Sequence, residues 1–312
     1  MTRPLMLLDS ASLYFRAYYG VPESVQAPDG TPVNAVRGFL DMVATLVTRF
    51  RPAGLVACLD YDWRPAWRVE LIPSYKAHRV AEAAVPGPDG LWPEETPDTL
   101  APQVPVILDV LAALGVATVG VAGYEADDVI GTLGTAPPAG FTAVDVVTGD
   151  RDLFQLVDDD RGVRVLYTGR GVAKLEVIDD AAMRARYGVP GSGYADLAVL
   201  RGDPSDGLPG VAGIGEKTAA GLMARFGSVD GMLAALDAGD AGLTAGQGAR
   251  LAAAREYLAA APAVVRVARE LEIPPLEPGL PRAPADEQAL YALAERWGLA
   301  SPITRIVDAL GG

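Results

Sequence analysis

The feature that most constrains the fold is an alternation of short apolar runs with stretches long enough to form a helix. Four runs rich in Val, Leu and Ala occur in the first half of the chain, at Leu5–Leu8, Leu55–Leu59, Ala117–Val121 and Ala143–Val147. Helical patterning occupies intervening stretches such as Ala35–Phe50 and Val104–Leu114. Strands that alternate with helices predict an α/β fold, in which helices flank a mainly parallel central sheet and active sites lie at the carboxyl ends of the strands.

The pattern changes after about Tyr187, where it becomes helical and is punctuated by glycine. Helical stretches are predicted at Tyr194–Arg201, Glu216–Arg225, Gly248–Glu272 and Asp286–Trp297. We therefore predict an α/β core over residues 1–184 and a helical C-terminal part over residues 185–312. The Pro- and Gly-rich insertion Pro73–Gln103 interrupts the core, and insertions of this kind are usually functional or disordered.

Composition narrows the class of protein without deciding its function. The one cysteine, Cys58, and the lack of an apolar run of membrane-spanning length predict a cytoplasmic protein with no membrane partner. The net charge of −14 argues against a nucleic-acid partner when taken alone. Two interpretations stay open on composition: an acidic metabolic enzyme, or a protein whose carboxylates gather on metal ions that bind phosphate.

Acidic residues follow each predicted strand. A single Asp in such a place is more often a turn former or a helix cap, and acids in a first helical turn complement the helix dipole. Four strand ends in succession favour a shared site, because the carboxyl ends of parallel strands meet at one edge. Crowded carboxylates without His or Cys suit Mg²⁺ or Mn²⁺, and so predict metal-dependent phosphoryl transfer. The residues are Asp9, Asp60, Glu125, Asp127, Asp128, Asp150 and Asp152.

A glycine-rich turn follows a further acidic pair, Asp203 and Asp206. Glycines at this spacing allow two helices to meet across a tight hairpin, with backbone N–H groups free to hold a phosphate. The dinucleotide-binding spacing is absent, and a plain helix–turn–helix corner is the structural alternative. Such a phosphate site is independent of base sequence, as suits a protein that reads DNA shape. The hairpin residues are Gly210, Gly213, Gly215 and Lys217.

A basic group opens the Pro-rich insertion. Lys76 and Arg79 lie three positions apart beside Tyr75, and grooves for single-stranded nucleic acid combine cations with rings in this way. A solvated charged face is the alternative. His78 is the only histidine, so a His-based catalytic triad is excluded.

Taken in order, five segments resemble the bacterial 5′-nucleases, the family of the 5′-nuclease domain of DNA polymerase I and of phage flap endonucleases. The resemblance extends to about residue 230. It implies a PIN-like α/β fold, a helical arch over about residues 73–104, and a helix–hairpin–helix over about residues 194–226. Two departures are Gly207, where the family usually has Asn, and a long Pro-rich stretch, Val85–Pro97. The segments are Leu8–Ala17, Tyr75–Arg79, Gly123–Val129, Thr148–Leu156 and Gly202–Ala219.

The resemblance also implies residue roles. One metal would be held by Asp9, Asp60, Glu125 and Asp127. A second would be held by Asp150, Asp152 and Asp206 with Asp127 shared, and Asp128 and Asp203 would be outer or third-metal ligands. On the arch, Lys76 would stabilise the transition-state phosphate beside Arg79, and Tyr75 would stack on bases. Arg16 would contact a nearby phosphate, and Gly210–Lys217 would hold the duplex backbone with a K⁺ ion.

The function so implied is a structure-specific 5′ nuclease of DNA replication and repair. It would hydrolyse DNA at 5′ flaps and 5′ ends with two or three Mg²⁺ or Mn²⁺ ions, leaving a 5′-phosphate and a 3′-hydroxyl. Its partners would be DNA with a 5′ flap, nick or free 5′ end, and other replication or repair proteins. The expected protein is a bacterial, cytoplasmic, nucleoid-associated monomer, either free-standing or excised from a larger chain.

Three alternatives are weaker. In a catalytically degenerate DNA-binding module, random mutation would be expected to have replaced at least one of the acidic residues. All nine positions carry Asp or Glu. A phosphatase with a strand-end Asp nucleophile needs a second Asp where Ala11 stands. Compact toxin-like ribonucleases lack the hairpin and the arch segment, although RNA cleavage as a side activity stays open.

Overall fold

The computed structural model describes residues 3–81, 87 and 91–311 and is built around a six-stranded sheet. The strand order is β3-β2-β1-β4-β5-β6, and every neighbouring pair is parallel except β5 and β6. The predicted α/β class with a mainly parallel sheet is thus confirmed. The strands are β1 Pro4–Asp9, β2 Gly54–Cys58, β3 Ala117–Val119, β4 Ala143–Thr148, β5 Val163–Tyr167 and β6 Glu176–Ile178.

Thirteen α-helices accompany the sheet in the described residues. In that part of the chain, no helix is both long and apolar enough to cross a membrane. The helices are α1 Ser10–Gly20, α2 Asn34–Phe50, α3 Ala66–Leu71, α4 Gln103–Leu114, α5 Ala126–Thr135, α6 Asp180–Tyr187, α7 Tyr194–Arg201, α8 Glu216–Phe226, α9 Val229–Asp237, α10 Ala245–Ala253, α11 Arg255–Val265, α12 Glu287–Trp297 and α13 Ala300–Gly311.

The central strands are apolar on both faces because helices cover both. Leu5 and Leu7 of β1 belong to a core shared with α5, α7 and α11, whereas Met6 and Leu8 face a second core formed with α2 and α4. Successive side chains of a strand point to opposite faces, so one continuous apolar run supplies both cores. The sheet is consequently fixed from both sides, and its carboxyl edge is a rigid platform.

The last helices of the chain pack against helices of the α/β part. Helix α13 packs on α2, and Ile303, Ile306 and Leu310 complete the second core of the α/β part. In the segment between α11 and α12, Gly279 forms a β-bridge with Gly54 at the start of β2. The apolar faces of α12 and α13 are therefore buried against helices of the α/β part.

The helix predicted over Gly248–Glu272 is also corrected. It is divided into α10 and α11 and ends at Val265. The side-chain amide of Gln155 donates to the carbonyl of Val265 and accepts from the N–H of Val267, so this backbone bonds to another element and leaves the helix.

The predicted helical arch contains no α-helix in the described residues between Pro73 and Pro102. A 3₁₀ turn covers Ala77–Arg79, and Val80 bridges to Glu94. Residues 82–86 and 88–90, which include part of the stretch Val85–Pro97, lie outside the described residues. Prolines supply no N–H group, which disfavours a continuous helix in the described portion of this segment.

Candidate active site

Carboxylates line a cavity at the carboxyl edge of the sheet. Asp9 is the last residue of β1, and Asp60 and Asp150 follow the ends of β2 and β4. The cavity has a volume of about 460 Å³. Its charged lining includes Asp9, Asp60, Glu125, Asp127, Asp150, Asp203, Lys76 and Arg79. A smaller cavity shares Glu125 and Asp127 and adds Asp152 and Asp206.

Asp9 is held by the elements on either side of it. One carboxylate oxygen caps α1 by accepting from the N–H of Ser12 at 3.0 Å, and the other accepts from the Thr148 hydroxyl at 2.7 Å. Burial, together with the charges of Asp60 and Asp150, nevertheless raises the pKa of Asp9 to about 7. The strand-end carboxylates therefore repel one another at a place where the fold fixes them.

Asp60 and Asp127 extend this acidic surface. Asp60 accepts from the N–H of Ala126 at 2.6 Å, which ties the end of β2 to the start of α5. Burial raises the pKa of Asp60, with Glu125 adding to the effect. Burial likewise raises the pKa of Asp127 well above its usual range, reinforced by Asp9 and Asp150. Both side chains lie where added positive charge would relieve the repulsion.

Glu125 is surrounded by donors. Its carboxylate accepts from the guanidinium of Arg68 at 2.8 Å, from the hydroxyl of Tyr75 at 2.7 Å, and from the ammonium of Lys76. Burial alone would raise the pKa of Glu125, but Lys76 and Arg68 outweigh it and lower the pKa. The chain itself therefore neutralises Glu125 from two sides.

Asp128, which the resemblance predicts as an outer or third-metal ligand, is enclosed within the protein. It is fully buried and lines neither cavity. Arg68 binds both of its oxygens at 2.7 and 2.8 Å, and the N–H groups of Glu125 and Ala268 complete the set. All of its strong acceptor directions are used within the protein, so Asp128 anchors α5 to α3 and to the segment after α11.

The segment that carries Lys76 packs on the loop that carries Asp206. The N–H of Lys76 donates to the carbonyl of Asp206 at 2.9 Å, and Arg79 donates to the Asp206 carboxylate at 2.8 Å. Gly207 adopts φ +70°, and a Cβ on it would overlap the carbonyl of Ser74. Only glycine fits this contact, which explains the departure from the family's Asn.

Tyr75, which the resemblance predicts to stack on bases, is buried. Its side chain is 4% exposed and its hydroxyl is bound to Glu125. The ring lies in the core beneath the cavity with Ile72, so it supports the carboxylate and offers no face to a base.

The donor set fits a hard divalent cation. Within residues 3–81, 87 and 91–311, no three His, Cys, Asp or Glu side chains lie close enough together to hold a metal ion. The cavity donors are nevertheless all carboxylate oxygens, and one buried oxygen of Asp152 has no hydrogen-bond partner in the described structure. Burial raises the pKa of Asp152 well above its usual range, and the charges of Asp150 and Asp206 add to this effect. Such a shift is expected where neighbouring carboxylates are not neutralised by cations. Ligands of this kind suit Mg²⁺ or Mn²⁺.

The last two acidic residues belong to the loop after α7. Asp203 lines the cavity and caps the turn Pro204–Asp206 by accepting from the N–H of Ser205 at 2.8 Å. Burial raises the pKa of Asp206 to about 6, although Lys76 and Arg79 favour its ionised form. This loop therefore closes the side of the site opposite α5.

Arg16 lies behind the cavity wall. It donates to the carbonyl of Gly169 at 3.2 Å, and its guanidinium is close to Gly149, next to Asp150. It does not line either cavity. Its hydrogen bond supports the loop after β5, and a phosphate contact by Arg16 stays a prediction.

The glycine turn joins α7 to α8 at the predicted place. Gly210 and Gly213 have φ of +66° and +75°, and a Cβ on Gly210 would come within 2.6 Å of the Arg201 carbonyl oxygen. Gly215 is the N-cap of α8, and Lys217 is exposed in its first turn. Arg250 of α10 donates to the carbonyl of Gly213 at 3.1 Å, a cation that the sequence did not single out.

Two further residues of the site were not predicted from the sequence. Arg68 is 2% exposed and holds Glu125, Asp128 and the carbonyl of Val264. Its spacing to Ile72 and Tyr75 is helical, which could have indicated a buried Arg that needs carboxylate partners. Glu94 also lines the cavity, and it comes from the insertion, where no strand or helix pattern marks it.

Comparisons with known proteins agree with this architecture. Residues 4–188 match the family model of the 5′-3′ exonuclease N-terminal resolvase-like domain, and residues 189–288 match that of the 5′-3′ exonuclease C-terminal SAM fold. A 5′-3′ exonuclease of Streptomyces coelicolor is 65% identical over 305 residues, which cover 98% of this chain and 99% of that protein. A 5′-3′ exonuclease of Mycobacterium tuberculosis is 52% identical over 318 residues, covering 99% of this chain and 98% of that one.

Solved structures share the fold. The T5 D15 protein co-crystallised with metal ions has a TM-score of 0.64 at 17% identity, over 99% of this chain and 98% of that chain. The family models and the two relatives define the class of protein as a 5′ nuclease, a hydrolase. The chain belongs to the 5′–3′ exonuclease family.

Proposed function

We propose that this nuclease is metal-dependent and hydrolyses DNA at 5′ flaps, nicks and free 5′ ends. The observation that carries the proposal is the cavity in which seven carboxylates face Lys76 and Arg79 at the carboxyl edge of the sheet. A phosphodiester carries negative charge, so a site for it needs cations among these carboxylates. The relatives named 5′-3′ exonuclease and the likeness to a metal-bound protein support this function.

The carboxylates of the cavity provide ligands for two divalent ions. A third ion is an addition to this proposal. Asp9, Asp60, Glu125 and Asp127 are the proposed ligands of one ion. The proposed ligands of the second ion are Asp127, Asp150, Asp152 and Asp206, and Asp203 lies beside them. Asp128 is left out because Arg68 and two N–H groups occupy its oxygens. When bound, such ions activate water and neutralise charge on the reacting phosphate.

Lys76 and Arg79 supply the chain's own positive charge at the cavity. The backbone of Lys76 is fixed to Asp206, and its ammonium also donates to the carbonyl of Trp63 at 3.3 Å. The lysine is thereby oriented before DNA arrives, which favours charge stabilisation of a phosphate that enters the cavity. Arg79 is more exposed and borders the same loop, so it is suited to an adjacent phosphate.

The turn between α7 and α8 is the proposed site for the duplex backbone. Its glycines bring backbone N–H groups to the N-terminus of α8, beside Lys217 and the anchored Arg250. Contacts of this kind position a duplex without reading its bases. K⁺ at this turn and action as a monomer are parts of the same proposal.

The decisive experiment measures cleavage of a 3′-labelled 5′-flap duplex with Mg²⁺, Mn²⁺ or EDTA, beside blunt duplex and hairpin substrates. We expect incision near the flap junction with either metal and none with EDTA. Asp127→Asn, purified in the same way, controls for a contaminating nuclease. Flap binding without cleavage under any metal would instead indicate a catalytically degenerate DNA-binding module.

A further inference from the structure

Trp63 occupies the wall of the catalytic cavity between Asp60 and Lys76. It follows β2 by a few residues, is partly exposed, and lines the same space as the strand-end carboxylates. Neither the acidic pattern nor the basic group in the sequence points to it. Its function is therefore open after the carboxylates and the cations are accounted for.

The indole and the backbone of Trp63 are each held by a hydrogen bond. Its Nε1 donates to the carbonyl of Trp92 at 2.7 Å, so the polar edge of the ring is satisfied. Its backbone carbonyl accepts from Lys76 at 3.3 Å, and the next residue, Arg64, donates to the carbonyl of Tyr75 at 2.7 Å. The ring is thus oriented by the carbonyl of Trp92, while the backbone of Trp63 contacts the cavity lysine.

Other rings near the cavity are less suited to receive a planar ligand. Tyr75 is buried, and Tyr167 packs edge-on against Phe154 with ring centroids 5.1 Å apart. Phe15 is packed against Tyr14 at 5.3 Å. Among the described residues, no aromatic ring packs on Trp63.

We propose that Trp63 is a nucleobase-stacking site for the nucleotide that carries the scissile phosphate. The inference rests on the proposed function, since it takes the phosphate to lie among the carboxylates and Lys76. A base attached to that phosphate then lies within reach of the cavity wall, and an indole face binds any base without reading its sequence. Trp63 thereby takes the stacking role that the sequence had predicted for Tyr75.

The test compares Trp63→Ala and Trp63→Phe on a normal flap and on a flap with an abasic residue beside the scissile phosphate. Stacking on one base predicts that Trp63→Ala lowers kcat/KM on the normal flap by about 5- to 150-fold. The abasic flap should lower wild-type kcat/KM to the same extent, and Trp63→Ala should then have no further effect. Trp63→Phe keeps a ring without the N–H group and should retain most of the activity.

Two outcomes would overturn the proposal. An equal penalty from Trp63→Ala on both flaps would indicate a structural role. Equal losses in Trp63→Phe and Trp63→Ala would show that the bond to Trp92, and not the ring, matters. Trp297→Ala removes an indole from outside the cavity and, with thermal unfolding curves, controls for a general loss of stability.

A binding measurement separates this inference from the proposed function. A flap with 2-aminopurine beside the scissile phosphate is titrated with protein in Ca²⁺, and its fluorescence is followed without any need for cleavage. Quenching by wild type and Trp63→Phe but not by Trp63→Ala supports stacking. Equal quenching by all three overturns it, whether or not the protein proves to be a nuclease.

Discussion

Asp127 and Asp128 are adjacent in the first turn of α5 but lie in opposite surroundings. Asp127 faces the cavity beside Asp9 and Asp150, where burial and like charge oppose its ionised form. Asp128 is enclosed by Arg68 and two backbone N–H groups. Successive residues of a helix point about 100° apart, so one side chain reaches the site and the next reaches the core.

Replacement of the cavity-facing member should remove catalysis and spare binding. Asp127→Asn keeps the shape of the side chain but loses a charge that both proposed metal sites share. We expect the single-turnover cleavage rate to fall by more than about a hundredfold, since even weaker perturbations of metal sites cost 10- to 100-fold. Flap affinity, measured by fluorescence anisotropy, should change little. A variant that still cleaves at the wild-type rate would remove Asp127 from the metal site.

Replacement of the core-facing member should instead destabilise the fold. Asp128→Ala leaves Arg68 buried with half of its hydrogen bonds, and loss of one member of a buried pair costs about 3–5 kcal/mol. Urea unfolding measures this loss, and it should be the same with EDTA or Mg²⁺. Asp109→Ala, at an exposed position of α4, is the matched control and should change the free energy of unfolding by less than about 0.5 kcal/mol.

Between elements, the segment 73–79 and the loop 203–208 act as one unit. The hydroxyl of Ser74 donates to the carbonyl of Gly207 at 2.8 Å, and Arg79 donates to the carbonyl of Ser205 at 2.7 Å. The position of Lys76 is therefore set by a loop about 130 positions further along the chain. Close packing at Gly207 is what makes this contact possible.

A methyl group at Gly207 should separate the two segments. Gly207→Ala places a Cβ against the carbonyl of Ser74 at a left-handed φ. Lys76 should then be displaced, and kcat should fall on the order of a hundredfold, as for a misplacement of about 1 Å. Stopped single-turnover assays measure this effect.

Gly221→Ala is the control for Gly207→Ala. Gly221 lies inside α8 with open space around its Cβ position, so alanine should stabilise the fold by about 0.5–1 kcal/mol. Wild-type kcat in Gly207→Ala would show that the contact with Ser74 does not position the lysine.

At the scale of the whole molecule, the last two helices complete the core that lies between the sheet and helices α2 and α4. Ile306 is fully buried in the core that α2 and α4 share, although it lies more than 250 positions after α2. The net charge of −14 does not oppose this assembly, because the buried surfaces are apolar.

Truncation of Ile306 tests this contribution. Ile306→Ala should lower the free energy of unfolding by about 2–5 kcal/mol through lost burial and the cavity that remains. Because Ile306 lines neither cavity of the site, kcat of the folded fraction should stay unchanged. Thr304→Ala, exposed on the same helix, should leave the urea midpoint in place. A midpoint unchanged by Ile306→Ala would show that α13 does not support the core.

Several features could be predicted from the sequence because they depend on neighbours along the chain. The period of apolar residues predicts the strands β1, β2 and β4, and the carboxylates at their ends follow directly from that assignment. The glycine turn after α7 was predictable for the same reason, since a tight hairpin requires glycine at particular positions.

Only the tertiary structure decided which of these residues are free to act. It paired Arg68 with residues 57 and 60 positions away, buried Tyr75 beneath Glu125, and left the ring of Trp63 on the cavity wall. It also returned α12 and α13 to the first half of the chain. A sequence records which side chains carry charge or apolar surface, whereas the partner that satisfies each one is chosen by packing among elements that are distant along the chain.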